Sequence, residues 1–352
     1  MQRQIHEEKT KVMVNGHRYI WVDYAKTIGM FAIVLGHVLP KGSTLHIYIY
    51  SFHVPLFFFL AGCVFTTGKK NYKEFLVDKA KRLLVPYLAF ALFSTAIYFL
   101  MLRFLGERMP VREDINGILS ELLKILVGYC DSNAPLWFLP SMFVLLAICF
   151  PLIRISSKKV SIKNKMLWGV IIVSFLWLAI DESFLQCYHL PYKLELVLHM
   201  ISMFMLGYLF RNSNLQNRIN KTPYGVRFLI VAGLILLGMF LGLSNDLVAY
   251  TSEYYGNWIM YYISALSTIL GICLSCTTLS ANRVVTYVSK STVSIVVMHK
   301  FPIMFFQLIP AISLSMERQP ELIGVVIALF SIVMCLAAQG VIKTICPKLL
   351  GL

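Results

Sequence analysis

The stretch from Tyr19 to His37 constrains the fold most, because it has the apolar content of a membrane-spanning helix and yet carries charged side chains. At about 100° per residue, Asp23, Lys26 and His37 fall within about 60° of one another on a helical wheel. A charged group in hydrocarbon costs roughly 2.5 to 3.5 kcal/mol, so such residues normally face a protein interior or a wet cavity. The polar face of this helix is therefore the first candidate site.

The composition indicates a multi-pass membrane protein. Hydrophobic residues make up 58% of the chain, charged residues make up 14%, and the mean hydropathy is +0.72, whereas soluble domains average about 45 to 50% apolar and about 25% charged residues. The net charge of +15 would suit a nucleic-acid partner only if the basic residues shared one soluble face, and here they lie in short loops. Residues 1–19 are polar, so we expect the first span to insert without cleavage of a signal peptide.

We predict an all-α polytopic protein, since a span needs about 20 apolar residues and the chain offers ten such segments. They are residues 20–40, 45–66, 83–105, 134–153, 166–180, 194–210, 228–243, 258–277, 291–311 and 322–342. The spans form one domain over residues 1–352, between tails of residues 1–19 and 343–352. Most of the 32 Lys and Arg residues lie in the tails and the even-numbered loops, which predicts that both termini are cytoplasmic.

The polar residues of the first two spans each have a structural and a functional interpretation. Asp23 and Lys26 fit a buried ion pair that fixes helix packing. His37 lies eleven residues beyond Lys26, about 16 Å along the same face. An ion pair alone would not require this histidine, so a functional interpretation stays open. His53 precedes Pro55, which frees a backbone carbonyl and suits a helix that lines a cavity. A hydrogen-bonded structural histidine is the alternative there.

The basic loop of residues 69–82 brings Lys79 and Arg82 to the cytoplasmic end of the third span. Contact with anionic lipid headgroups is one interpretation. The other is an anionic cytosolic ligand such as a nucleotide phosphate or coenzyme A, because Arg offers bidentate contacts and Lys a point charge.

On the predicted outer side, Asn133 and Trp137 precede the fourth span, where a Trp is either an interfacial anchor or part of a sugar-binding surface. The preceding stretch, Ile118–Tyr129, fits a short amphipathic helix at the outer surface with Glu121 and Lys124 on its polar side.

Two later spans also carry buried titratable residues. Glu195 and His199 are one turn apart in the sixth span and fit either an acid/base pair or a satisfied polar pair. His299 and Lys300 lie near the middle of the ninth span, before Pro302. A buried Lys is costly enough to indicate a cavity there.

The eight cysteines are mostly in apolar stretches, where a thiol packs as a small hydrophobic group. Cys273 and Cys276 form a CxxC motif without a second pair or a neighbouring histidine, so we expect no metal site. Cys130 and Cys187 are both predicted to be external, where a disulfide is an alternative to two thiols.

Taken together, these segments resemble the acyltransferase family 3 membrane proteins, which modify bacterial surface polysaccharides, lipopolysaccharide and peptidoglycan. The matching segments are WVDYAKTIGMFAIVLGH, FHVPLFFFLAG, KAKRLLVPYL, APLWFLPSMF and SIVVMHKFP. The segments DYAK and LGH are similar to those of the branch of fucose acetylases and exopolysaccharide acetyltransferases. Many members carry an Arg eleven residues before the catalytic His, where this chain has Lys26 before His37, and an Arg-x-x-Arg element that is Lys79-Ala80-Lys81-Arg82 here.

The resemblance implies an O-acyltransferase (EC 2.3.1) of the bacterial cytoplasmic membrane, with acetyl-CoA as donor substrate and no bound cofactor. Its acceptor would be a hydroxyl of a cell-surface carbohydrate or of a lipid-linked precursor. A hydroxyl needs a general base at neutral pH, and histidine suits that role. His37 would then deprotonate the hydroxyl or first take the acyl group, with Asp23 and Lys26 holding the polar face of the first span.

The remaining roles follow from the same resemblance. Lys79 and Arg82 would bind the donor, and His53 would line the cavity with Asn133, Trp137, Glu195 and His299 as further substrate-binding residues. Two other classes of function also fit buried His, Lys and Glu in ten spans. One is a proton-coupled transporter or flippase of a sugar-containing substrate, for which we find no matched halves in the sequence. The other is a non-enzymatic membrane partner.

Overall fold

The computed structural model describes residues 19–351 except 107–114, 116, 157–159, 181–189, 214 and 251. Most of the predicted N-terminal tail and Cys187, the proposed disulfide partner of Cys130, lie outside the described residues.

The described residues are mostly helical and contain no strand. The α-helices are α1 Ile20–Val38, α2 Thr44–Val64, α3 Tyr72–Leu105, α4 Ile118–Leu126, α5 Phe138–Ser156, α6 Val160–Ile180, α7 Leu194–Asn212, α8 Leu215–Lys221, α9 Tyr224–Ser244, α10 Trp258–Cys276, α11 Arg283–Lys290, α12 Thr292–Met298, α13 Lys300–Gln307, α14 Pro310–Arg318 and α15 Pro320–Ile345. Short 3₁₀ helices cover Asp131–Trp137, Pro191–Lys193 and Pro347–Leu350. The all-α prediction is confirmed.

In the described part of the chain, 7 helical segments are long and apolar enough to cross a membrane. Three predicted spans are not among them, namely the first, the fifth and the ninth. Helix α1 carries two charged residues, the apolar part of α6 is short, and the ninth span is divided between α12 and α13. The chain is thus an integral membrane protein, while the number ten and the cytoplasmic termini stay predictions.

Helix α3 begins at Tyr72, well before the predicted start of the third span at residue 83. The physical reason is a capping box, in which the Asn71 side chain accepts from the Glu74 backbone N–H and the Glu74 carboxylate accepts from the Asn71 N–H. The prediction of a loop over residues 69–82 is therefore wrong for most of its length. Lys79 and Arg82 project from a regular helix.

Helix α4 confirms the predicted amphipathic helix, and its polar residue Glu121 lies in the protein interior. Glu121 is buried and its Oε1 accepts a 2.8 Å hydrogen bond from the Ser132 backbone N–H, whereas Leu119, Leu123 and Leu126 are exposed. In a bilayer the leucine face suits lipid, so the polar side of this helix serves the protein interior.

The chain divides into two compact units. The first comprises Met1–Ile33, Gly42–Thr66 and Met200–Thr292, and the second comprises Val34–Lys41, Thr67–His199 and Val293–Leu352. The predicted single domain stays a prediction.

In the first unit, α2 and α7 pack at the distance that only glycine permits. A Cβ built on Gly207 would lie 2.0 Å from the Phe59 carbonyl oxygen, and one built on Gly62 would lie 1.9 Å from the Phe204 carbonyl oxygen. The Cys63 thiol donates to the Gly207 carbonyl across the same crossing. Small residues at such crossings let helix backbones approach closely in membranes.

We expect Gly207→Ala to lower the free energy of unfolding by about 1 to 3 kcal/mol or more, because the added methyl group meets backbone that cannot rotate away. Thermal unfolding of the purified protein in detergent measures the change. Gly233→Ala is the matched control, since a Cβ at Gly233 meets nothing within 4 Å. Equal unfolding temperatures for the two variants would contradict the packing described here.

Candidate functional site

Helix α1 is held at its N-terminal half by side chains that bond to the segment around α11. Asp23 is buried and its Oδ1 accepts a 2.7 Å hydrogen bond from Ser289 Oγ. The Tyr24 hydroxyl donates to the Ser280 carbonyl at 3.0 Å, and the Thr27 hydroxyl lies 3.2 Å from the Val285 carbonyl. These bonds lie within the first unit and fix the rotation of α1 about its axis.

The two other predicted residues of α1 differ in exposure. Lys26 is half-buried and belongs to the first unit, like Asp23. His37 is exposed, lies in the last turn of α1 and belongs to the second unit.

His37 and His299 face each other in the second unit. Their ring centroids are 5.1 Å apart and their planes are inclined at 36°. His299 is fully buried, and its Nδ1 lies 2.9 Å from the Ile295 carbonyl oxygen. Since a carbonyl oxygen only accepts, Nδ1 carries the proton in a neutral ring, which leaves Nε2 with a lone pair. Within the described residues, His299 Nε2 has no hydrogen-bond partner.

The helix that carries His299 is interrupted at this residue. Pro302 has no N–H to offer the Met298 carbonyl, so α12 ends at Met298 and α13 begins at Lys300. Interrupted helices at membrane depth occur where other groups bond to the freed backbone or where the helix lines a cavity. Here the Asn133 Nδ2 donates a 3.1 Å hydrogen bond to the neighbouring Val297 carbonyl.

Asn133 lies in the 3₁₀ segment Asp131–Trp137, whose backbone turns at this residue (φ −147°, ψ 73°). Only 1% of Asn133 is exposed. Its Nδ2 also donates to Ser94 Oγ at 3.0 Å. Ser94 was not predicted as a site residue, and its position in an apolar stretch of α3 gave no signal.

Trp137 is buried and packs against a buried lysine in the second unit. The Lys193 ammonium lies 5.6 Å from the Trp137 ring centroid and 5.2 Å from that of Tyr129, and 1% of Lys193 is exposed. Tyr192 and Lys193 have φ angles of 60° and 50°, an uncommon backbone conformation for residues with a side chain. Trp137 therefore contacts a buried cation, Lys193, which sequence reasoning missed. Its two predicted roles, interfacial anchor and sugar-binding residue, stay predictions.

Glu195 and His199 are both buried on the first turns of α7. The Tyr129 hydroxyl lies 3.4 Å from Glu195 Oε1. The Ser174 hydroxyl donates to the His199 backbone carbonyl at 3.0 Å. This geometry ties the Glu195 side chain to Tyr129 and the His199 backbone to α6 of the second unit.

His53 is buried in an aromatic cluster of the first unit. Its ring centroid lies 4.7 Å from that of Tyr50 and 5.5 Å from that of Tyr250. Its Nδ1 lies 2.8 Å from the Ile49 carbonyl, the same arrangement as in His299. The predicted role of His53 in lining a substrate cavity stays a prediction.

The basic face of α3 includes an acid that neutralises part of its charge. Asp78 Oδ1 lies 3.3 Å from Arg82 Nε and 3.4 Å from Lys70 Nζ. A cleft of about 450 Å³ opens beside them and is lined by Lys70, Lys73, Glu74, Val77, Asp78 and Lys81. The predicted pair Lys79 and Arg82 is not among the lining residues, although Arg82 bonds to one of them.

A comparison with family models shows what these features belong to. The model of the acyltransferase 3 family, an acyltransferase domain, matches residues 19–338. The chain belongs to this family. The acyltransferase match covers α1, the 3₁₀ segment with Asn133, and α13, so every predicted site residue lies inside it. Comparisons with curated proteins and with solved structures found no match.

We expect Ser289→Ala to lower the free energy of unfolding of this acyltransferase by about 1 to 3 kcal/mol, because it removes the hydroxyl that bonds to the buried Asp23 carboxyl. Thermal or denaturant unfolding in detergent measures this. Ser275→Ala serves as the control, since the Ser275 hydroxyl donates to a carbonyl of its own helix. If Ser289→Ala unfolds like the control, Asp23 does not anchor α1.

Proposed function

We propose that the chain transfers an acyl group, acetyl from acetyl-CoA, to a hydroxyl of a cell-surface carbohydrate or of its lipid-linked precursor. The proposal places the protein in the bacterial cytoplasmic membrane. The observation that carries it is the pair of imidazoles, His37 and His299, at a ring separation of 5.1 Å in a chain of the acyltransferase 3 family.

In the proposed reaction the acceptor hydroxyl oxygen attacks the thioester carbon of the donor. His37 takes the hydroxyl proton as a general base, the carbon–sulfur bond breaks, and the proton passes to the departing thiolate. The exposure of His37 supports this role, because a base must reach the acceptor. The buried His299, whose Nδ1 is bonded to Ile295, is a positioning residue that fixes the surroundings of the His37 ring.

The proposed donor contacts are on α3. Lys79 is half-buried and lies over the Phe75 ring, with its ammonium 5.4 Å from the ring centroid. Exposed ion pairs such as Arg82–Asp78 contribute about 0 to 1 kcal/mol, so the phosphates of coenzyme A can replace Asp78 at the Arg82 guanidinium. Bidentate contacts between Arg and phosphate favour that exchange.

We expect His37→Ala to lower the rate of acyl transfer about 100-fold or more, the usual contribution of a general base. The measurement is consumption of acetyl-CoA and transfer of labelled acetyl groups by the purified protein in nanodiscs, with unfolding temperatures matched to the wild type. A mutant as active as the wild type would contradict the role of His37. If the wild type consumes no acyl-CoA with glycan acceptors present, a sugar transporter becomes the better function.

We expect Lys79→Ala and Arg82→Ala to raise the KM for acyl-CoA more than the KM for the acceptor, because each removes a positive charge from the proposed donor site. Steady-state kinetics with both substrates varied measures the two constants. Lys165→Ala is the control, since Lys165 is an exposed lysine of α6 outside the proposed donor site. Donor kinetics that match those of the control would rule out this donor site.

A further inference from the structure

A small cavity lies in the second unit between α3, α13 and the 3₁₀ segment Asp131–Trp137. Its volume is about 10 Å³, which is room for one water-sized group. Its polar wall comprises Ser94, Ser132, Asn133 and Lys300, and its apolar wall includes Phe301. The cavity therefore has room for one small polar group between a polar wall and an apolar wall.

The hydrogen bonds of Asn133 define what that group must offer. The Val297 carbonyl only accepts, so the atom 3.1 Å from it is the Asn133 amide nitrogen. The second hydrogen of this nitrogen goes to Ser94 Oγ at 3.0 Å. Asn133 Oδ1 is then the remaining atom, and it is buried with no hydrogen-bond partner in the part of the chain that the structure describes. A ligand that satisfies it must be a donor.

Lys300 adds a positively charged side chain to the cavity wall. Its ammonium can only donate, and Lys300 lines the cavity directly after the helix interruption. A carboxylate or ketone oxygen could accept from Lys300 but could not donate to Asn133 Oδ1. An ammonium group could donate to Asn133 but would repel Lys300. A neutral hydroxyl group does both.

We propose that this cavity binds a hydroxyl group of the acceptor, adjacent to the hydroxyl that reacts, and so selects neutral polyhydroxylated ligands. The proposal rests on the proposed function and deepens it. Lys300 follows His299 in the chain, and the His299 ring lies 5.1 Å from that of His37, so the cavity and the imidazole pair share the same interrupted helix. The ring of Phe301 supplies an apolar surface for the C–H groups of a sugar.

The test compares wild type with Lys300→Met, which keeps most of the side-chain length and removes the ammonium, and with Asn133→Ala. The probes are methyl glycosides of glucose, galactose and fucose, together with their monodeoxy analogues. Their binding to the protein in nanodiscs is measured by calorimetry, and their acetylation is measured with acetyl-CoA. Lys290→Met is the matched control, because Lys290 is exposed at the end of α11.

We expect the wild type to bind at least one parent glycoside about tenfold or more tightly than one of its deoxy analogues, in line with the loss of a hydrogen bond to a charged group. Lys300→Met and Asn133→Ala should lose this discrimination and leave the KM for acetyl-CoA unchanged, while Lys290→Met behaves as the wild type. Unfolding temperatures show whether Asn133→Ala still folds. If Asn133→Ala does not fold, the comparison of wild type with Lys300→Met decides the test.

Three results would overturn the proposal. They are a wild type that binds no glycoside, equal discrimination in wild type and Lys300→Met, and occupancy of the cavity by water alone in an experimental structure with a bound glycoside. Consumption of acetyl-CoA by the wild type with any of these results removes the hydroxyl cavity and leaves the proposed acyl transfer intact. Glycoside discrimination without any use of acyl-CoA supports the cavity and overturns the proposed function.

Discussion

The second unit is built around one interruption, between α12 and α13, that leaves backbone groups without their helical hydrogen bonds. Pro302 cannot donate to the Met298 carbonyl, and an unbonded backbone group at membrane depth costs several kcal/mol. Beside this interruption, the Asn133 amide nitrogen bonds to the adjacent Val297 carbonyl. The same bond leaves the other end of the Asn133 amide as an acceptor, and it fixes the turn that leads into α5. One side chain thus bonds to the backbone of the interrupted helix and lines the proposed binding cavity.

The His299 ring is held by a bond to its own helix. A carbonyl oxygen has two lone pairs, so it can accept from a backbone N–H and from a ring N–H at the same time. His299 bonds to the Ile295 carbonyl through both its backbone N–H, at 2.9 Å, and its ring. The ring is therefore held against its own helix with Nε2 directed away from that bond. A ring held in this way is suited to positioning the neighbouring His37.

Sequence reasoning predicted the membrane class, the helical fold and the family, because these depend on apolar segments and on motifs that can be read locally. It named His37 and His299 separately, since nothing in two segments more than 250 residues apart indicates that their rings meet. Ser94, Lys193 and the inward direction of Glu121 were missed for a similar reason. A polar residue on an apolar helix has no visible partner until tertiary packing supplies one.

The residues of the proposed imidazole pair lie in segments that are less apolar or less continuous than the other predicted spans. In the described residues, 7 helices are long and apolar enough to cross a membrane. Two of the three predicted spans that are not among them, the first and the ninth, carry His37 and His299. Charged and polar residues lower the hydropathy of the first span, and Pro302 interrupts the helix of the ninth. Charged and polar residues within a span cost free energy in lipid, so their presence indicates a function that compensates for this cost. In a chain of this composition, a predicted span of low hydropathy is therefore a better guide to candidate catalytic residues than a loop is.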